Sequence, residues 1–472
     1  MFKNFALGLI ILLVIIFNIL RFGKLDMIPY GYHVDELTSA VTLQCMAEKG
    51  CDAELTAWPL FGAVQFGQDK PPTYIYPGII WVKIFGSTVS SLRAYSVSVL
   101  LIGILGLFFL GKELLGKSFG LAVVLAATCS PWAWLVNRIA LESYFAPVLA
   151  VWGLYFFWRS NAWGDWALAG FLLVGAMYAY PPARLQTPLM VITLALYERG
   201  RRSIRWTSVL SLGGVFVLSL LPMVIKYMHG ALSRRFDAIS IFNKDYWFVL
   251  GKTGSPGDIM GMFIHNYWLH LNPNFLFRSG DTSYMYSTKH LGIFSFLDMG
   301  ALIILSVFVI LKFLRPAWGE NPVIKHQHLL LFLVVNFFIG IIPSAMTNQG
   351  LPNALRICGS WPFMMLFTGL MWWSVGQFLV GAWLAMALTG ILSAGVLGYQ
   401  YFVLYPQESK SSFGSRAREI VEELKTQEDW KAFLLLFHPQ RYHCRYFLVH
   451  RLGMSCEQAK DIWAETSDEL LR

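Results

Sequence analysis

The sequence predicts an all-α polytopic membrane protein, with about eleven transmembrane helices, a large first loop outside the cytoplasm and a small carboxy-terminal domain on the same side. Three observations carry that expectation. Of 472 residues, 56% are hydrophobic and only 14% charged, where soluble domains carry roughly 25% charged residues. Mean hydropathy is +0.53, and apolar runs long enough to cross a bilayer recur from Phe5 to Phe402. Lys and Arg collect in alternate short connections, as they do where basic loops stay cytoplasmic. Disorder, collagen and a small disulfide-rich module are excluded. Orienting loops account for many of the basic residues behind the net charge of +9, so nucleic acid is not an expected partner.

In lipid a helix satisfies its own backbone polar groups, and about 20 apolar residues cross the hydrocarbon core. The spans expected on that rule are 5–20, 92–110, 119–136, 144–158, 166–180, 185–197, 206–225, 291–311, 328–343, 357–375 and 378–401. Lys3 sets the amino terminus inside. Lys112 and Lys117, Arg159, the run Arg199, Arg201, Arg202 and Arg205, and then Lys312, Arg315 and Lys325 fall on every second connection. The first run is longer than a signal-peptide core, and no small-residue cleavage site precedes Arg21, so a retained anchor is expected.

With this orientation three segments lie outside: 21–91, 226–290 and 406–472. The chain reads as a transmembrane domain, 1–405, followed by a small outer domain, 406–472. Residues 72–85 are apolar and aromatic but too short to span, and read as a helix lying in the membrane interface. Amphipathic helices are expected at 37–47, 415–425 and 456–470, with apolar material at 430–437 and 446–452. Cys45 and Cys51 share the first outer segment and Cys444 and Cys456 share the tail; each pair forms a disulfide in an oxidising compartment or remains two thiols. No CxxC occurs and the histidines lack ligand spacing, so no metal site is expected.

The strongest local signal is Gly31-Tyr32-His33-Val34-Asp35-Glu36, just past the first span. Adjacent acids beside lipid suit a general base whose ionisation is set by burial and nearby cations; the alternative is a solvated helix cap. Asp69-Lys70-Pro71-Pro72-Thr73-Tyr74 opens the interfacial helix. Two prolines fix the chain there without wasting an amide donor, and hold Lys70 at a defined depth. Lys70 then binds a phosphate or snorkels to the surface. Arg138 and Glu142 stand four apart at the outer end of the third span, where one helix face would pair them. Arg93, Arg184, His290 and Arg356 are further candidates for an anionic headgroup, or interfacial anchors.

In this order these residues resemble the GT-C glycosyltransferases of the protein O-mannosyltransferase and lipid A aminoarabinose transferase type. The likeness runs from about Ile28 to about Leu404. It is carried by residues 31–36, 69–72 leading into Phe85-Gly86, Leu92-Arg93, Ser130-Pro131 with Arg138 and Glu142, residues 180–184, residues 271–281 with His290, and residues 343–356. The resemblance implies an inverting enzyme of the inner membrane that moves a sugar from a polyprenyl-phosphate carrier to a protein, glycan or lipid acceptor on the outer face. By that analogy Asp35 is the base, with Glu36 and Glu142 as supporting acids. Lys70 binds the carrier phosphate, with Asp69, Arg93, Arg138, Arg184, His290 and Arg356 around it. No cofactor is implied, because fixed cations neutralise a monophosphate. The competing class is a transporter or flippase of lipid-linked sugars, which would place polar residues in broken or repeated helices near mid-membrane; here the acids gather at one interface.

Overall fold

The computed structural model describes residues 2–52, 57–59, 64–65, 68–159, 162–198, 206–228, 234–314, 325–416, 418–419, 446, 449 and 454–458. Among them the regular elements are helices and one two-residue antiparallel pair, Val64–Gln65 with Gln68–Asp69, with isolated bridges joining Cys51 to Ala57 and Ser240 to Thr347. The helices are α1 (Phe2–Leu20), α2 (Val34–Lys49), α3 (Pro72–Phe85), α4 (Val89–Leu115), α5 (Lys117–Thr128), α6 (Pro131–Asn137), α7 (Phe145–Arg159), α8 (Trp163–Ala179), α9 (Ala183–Glu198), α10 (Trp206–Met228), α11 (Arg234–Ile239), α12 (Lys244–Val249), α13 (Pro256–Leu269) and α14 (Phe296–Leu314), then Gln327–Ile339, Ile342–Ala345, Trp361–Gly376, Gly381–Tyr399 and Tyr405–Glu408. Among the described residues four helices are long and apolar enough to cross a bilayer, and the bent pair α5 and α6 makes a fifth. This is a polytopic helical membrane fold.

The chain divides into two compact units that do not follow chain order. The larger holds Met1–Arg21, Val99–Val136 and Ser143–Gln400; the smaller holds Phe22–Ser98, Asn137–Glu142 and Tyr401–Arg472. One parting, between Gln400 and Tyr401, falls close to the expected boundary near residue 405, and the chain beyond it groups with the first outer segment.

Within the larger unit α7 packs on α8, α8 on α10, α5 on Trp361–Gly376, and α1 on Gly381–Tyr399. Lipid offers no hydrophobic drive between helices, so close approach of small residues matters. Gly111 of α4 meets Gly120 of α5 so closely that a Cβ on Gly111 would lie 2.9 Å from the Gly120 Cα. Arg21 follows α1 fully buried, donating to the Thr128 carbonyl at 2.9 Å and to the Asn18 side chain at 3.0 Å. The expected span 119–136 is broken. Pro131 cannot continue a helix entered from Ser130, and α5 and α6 meet at 56°.

In the smaller unit α2 packs against α3. Helix α2 is buried along most of its length, Thr38, Ser39 and Thr42 included, so the expected amphipathic helix is a core helix. Helix α3 begins at Pro72, with Pro71 as its N-cap, as the two prolines predict. The Tyr74 hydroxyl donates to the Ala140 carbonyl at 3.3 Å, and the Tyr95 hydroxyl to the Tyr74 carbonyl at 3.0 Å. These bonds tie the irregular residues 137–142 to α3, and α3 to α4.

Cysteine pairing differs from both sequence pairs. Cys45 is bonded to Cys456, and Cys51 is a free thiol. Neighbourhood in sequence misled because α2 and the tail share one unit. Cys444 and most of the expected tail helices lie outside the described residues.

Candidate active site

The smaller unit gathers Asp35, Glu36, Lys70, Arg93, Arg138 and Glu142. The local origin of the acid pair is a helix start. His33 caps α2: its Nδ1 accepts the Asp35 amide at 3.0 Å, and its own amide donates to Glu36 Oε2 at 2.8 Å. This is a capping box, and it satisfies two amides that a helix start leaves open. Because Nδ1 accepts an amide, its 3.7 Å approach to Asp35 Oδ2 is not an ion pair in this tautomer.

The cap turns the two neighbouring acids in different directions. Glu36 is fully buried. Arg93 grips it with Nε at 2.7 Å and a terminal nitrogen at 2.8 Å, and the Ala140 amide donates at 2.9 Å. With the His33 amide, four donors fill the carboxylate. Burial pushes its pKa up, but the Arg93 charge and the Arg93, Ala140 and His33 hydrogen bonds outweigh burial and hold it below the usual value of 4.5. Arg93 is equally saturated. Its other donors reach the carbonyls of Leu25 and Pro29 at 2.9 Å each and of Gly31 at 2.9 Å. Five N–H groups meet five oxygens.

Asp35 leaves this brace and faces outward, its side chain 41% exposed. Lys70 Nζ stands 3.8 Å from Asp35 Oδ1 and 3.2 Å from Glu142 Oε2. Lys70 is itself buried to 7% exposure, and as the residue before Pro71 its backbone is confined to extended conformations. The result is a carboxylate, an ammonium and a second carboxylate in a row, presenting one accessible carboxylate acceptor beside a cation.

Arg138 and Glu142 do not form the expected helical pair, because α6 stops at Asn137. Glu142 goes to Lys70. Arg138 is fully buried, donates to Tyr401 Oη at 3.0 Å and to the Gly23 carbonyl at 2.7 Å, and lies 4.7 Å from the Tyr401 ring centroid. Asp69 is the last residue of its short strand, paired with Val64.

Arg184, His290 and Arg356 belong to the larger unit. Arg184 lies in the first turn of α9. His290 is exposed, its amide 3.4 Å from the Thr288 hydroxyl. Arg356 donates to Thr347 Oγ1 at 2.8 Å and to the Gln349 carbonyl at 2.6 Å. Behind it, Asp281 accepts the Ala354 amide at 2.6 Å and the Ser283 amide at 2.8 Å, and His270 Nε2 accepts the Asn353 amide at 3.2 Å. Burial raises the Asp281 pKa to about 6 and lowers that of His270 to about 4. Among the described residues no group of three or more His, Cys, Asp or Glu is placed to hold a metal ion.

Sequence reasoning included His33 in its strongest motif without giving it a role, and missed the Ala140 amide and Tyr401. The spacing His33-x-x-Glu36 was a legible capping signal. Nothing local marks Tyr401 as the partner of an arginine 263 positions earlier.

The helical membrane fold that holds this acid and lysine cluster is similar to solved membrane proteins. The fold is shared with the oligosaccharyltransferase of Archaeoglobus fulgidus in its apo form, with 12% identity, 91% of this chain and 59% of that one covered, and a TM-score of 0.50. ArnT from Cupriavidus metallidurans is also similar, in the apo state with 14% identity, 97% and 74% covered and a TM-score of 0.49, and bound to undecaprenyl phosphate with 13% identity, 97% and 75% covered and a TM-score of 0.48. No curated protein matches in sequence. The sequence model of the dolichyl-phosphate-mannose-protein mannosyltransferase family matches residues 69–226, which contain Lys70, Arg93, Arg138 and Glu142. The matched segment is similar to that family, and the solved structures show a likeness of fold.

Proposed function

We propose that the protein transfers a sugar from a polyprenyl-phosphate carrier to an acceptor hydroxyl at the outer face of the inner membrane, with inversion at the anomeric carbon. The observation that carries this reading is the outward Asp35 carboxylate 3.8 Å from the Lys70 ammonium. Asp35 takes the proton of the acceptor hydroxyl as its oxygen attacks the anomeric carbon. The bond to the phosphate oxygen breaks on the opposite side, and Lys70 stabilises the negative charge that gathers there. One carboxylate suffices for a single displacement. The family match, whose description names a dolichyl-phosphate-linked sugar, supports the lipid carrier.

Two of the acids and two of the arginines act differently from the simplest expectation. Glu36 has every lone pair occupied inside the protein, so it positions Asp35. Arg93 and Arg138 bind loop carbonyls, so they shape the backbone beside the cluster and leave the phosphate to Lys70. Glu142 shares Lys70 with Asp35 and yields it as the carrier phosphate arrives. Arg184, His290 and Arg356 remain candidates for an anionic headgroup. Eleven spans with the amino terminus inside put residues 21–91, 226–290 and the tail on the outer face.

The test is transfer of radiolabelled sugar from a panel of polyprenyl-phosphate donors to membrane acceptors, comparing wild type with Asp35→Asn. Transfer by wild type, abolished in the variant at equal protein level, supports the assignment. Undiminished transfer in Asp35→Asn removes Asp35 as the base, and no transfer from any donor removes the activity.

A further inference from the structure

The segment that follows the last membrane helix grips both ends of the element carrying Asp35. Before the acid, Tyr32 donates its amide to the Phe413 carbonyl at 2.6 Å. Gly31 makes this approach possible: its φ is +101°, and a Cβ there would collide with that same carbonyl. Arg418 donates to the Asp26 carbonyl at 2.7 Å and lies 4.8 Å and 5.0 Å from the ring centroids of Tyr30 and Tyr32. Tyr446 sets its ring 5.9 Å from that of Tyr32 and accepts the Val89 amide at 3.3 Å. Beyond the acid, Cys45 is bonded to Cys456, and Lys49 pairs with Glu457 at 2.7 Å. Both cysteines are fully buried.

Cys45 stands ten residues past Asp35, about 15 Å along α2. A bond at that point and a docked strand of chain before the helix start together limit both translation and tilt of the helix. We propose that the carboxy-terminal segment is a positioning element for Asp35, completed by the Cys45–Cys456 disulfide, so that the site reaches its working geometry only after oxidation of that pair. The bond forms when the two thiols pass two protons and two electrons to an incoming disulfide, which leaves as two thiols; a thiol–disulfide oxidant of the outer compartment is the required co-reactant. The proposal rests on the reading of Asp35 as the base.

The experiment has three parts on the full chain in detergent. Peptide mapping without reduction should recover residues 45 and 456 in one linked species; their recovery as separate thiols from oxidised protein overturns the proposal. Hydrogen–deuterium exchange over residues 26–40 should become roughly tenfold faster in Cys45→Ser/Cys456→Ser; unchanged exchange overturns it. In the transfer assay the same variant should lose roughly tenfold in kcat with donor KM unchanged, where a merely structural bond would lower the amount of folded enzyme and leave kcat per folded molecule intact. Should the double variant fail to accumulate, Arg418→Gln keeps the disulfide and loosens the other grip, with the same faster exchange expected over 26–40 and unchanged exchange overturning the proposal. Exchange is read without catalysis, so an inactive wild type refutes the function and leaves the positioning claim to be judged on its own.

Discussion

The Glu36 and Arg93 pair makes the sharpest stability prediction. Replacing Glu36 by Gln leaves a guanidinium at zero exposure with three carbonyls and no counter-charge. Breaking a buried pair from one side costs about 3–5 kcal/mol. Replacing Arg93 by Lys keeps the charge but offers three N–H groups where five hydrogen bonds now stand, so at least two bonds are lost, at about 1–3 kcal/mol each. Against a total stability of about 5–15 kcal/mol, either change is large. At roughly 2–4 °C per kcal/mol, Glu36→Gln should lower the apparent Tm by roughly 6–20 °C. The assay is size-exclusion of detergent-solubilised protein after graded heating. Asp35→Asn serves as the contrast, because its carboxylate is 41% exposed and Lys70 keeps Glu142 as its nearer partner, so the loss is about 1 kcal/mol or less; it should melt near wild type while losing transfer. A Glu36→Gln protein melting within about 2 °C of wild type would refute the brace. Acid gives the same answer by another route. The folded-state pKa of Glu36 is lowered, so its stabilisation is complete above its usual 4.5 and is lost as pH falls through the lower folded value.

Other outcomes follow from the same geometry. Lys70→Met should reduce kcat by roughly 10²–10³ if the ammonium stabilises the leaving phosphate, measured by single-turnover transfer at saturating donor. Glu142→Gln frees Lys70 from its nearer partner at 3.2 Å, and should lower the donor KM while leaving the pH dependence set by Asp35. Asp281 and His270 oppose each other in acid. The raised Asp281 pKa of about 6 makes stability fall as pH rises from 3.8 to that value, whereas the lowered His270 pKa of about 4 makes stability rise from that value to 6.5. Asp281→Asn should therefore steepen the gain in Tm between about pH 4 and 6, and His270→Asn should reverse its sign.

Much of the architecture could be read from apolar runs because lipid leaves the backbone few options. Helix α3 begins at Pro72 and ends at Phe85, as its prolines and Gly86 dictate. The span through Ser130 was less legible, since Pro131 signals a break but not whether the chain resumes as a membrane helix. At the site, several of the residues singled out stand close together, but their partners often differ from those expected. Asp35 and Lys70 were recognisable from charge next to an interface, and they do meet. Arg138 and Glu142 seemed paired by a spacing of four, a rule that holds only while the helix continues. Glu36 and Arg93 are 57 positions apart, and the Cys45 bond closes 411; such long closures are set by how the elements pack, which no local pattern encodes.

The matched set of five donors and five oxygens around Arg93 also constrains how this protein can change over generations. Every member is a condition for every other, so a single substitution at Glu36 or Arg93 is penalised whatever residue arrives, and its cost depends on what else has changed. Tolerated variation here should be strongly epistatic, arriving as compensated groups that alter the acid, the cation and the 25–31 turn together. Surface positions of α3 that face outward, such as Ile80 and Ile84 at 64% and 67% exposure, carry no such mutual condition and should drift one residue at a time.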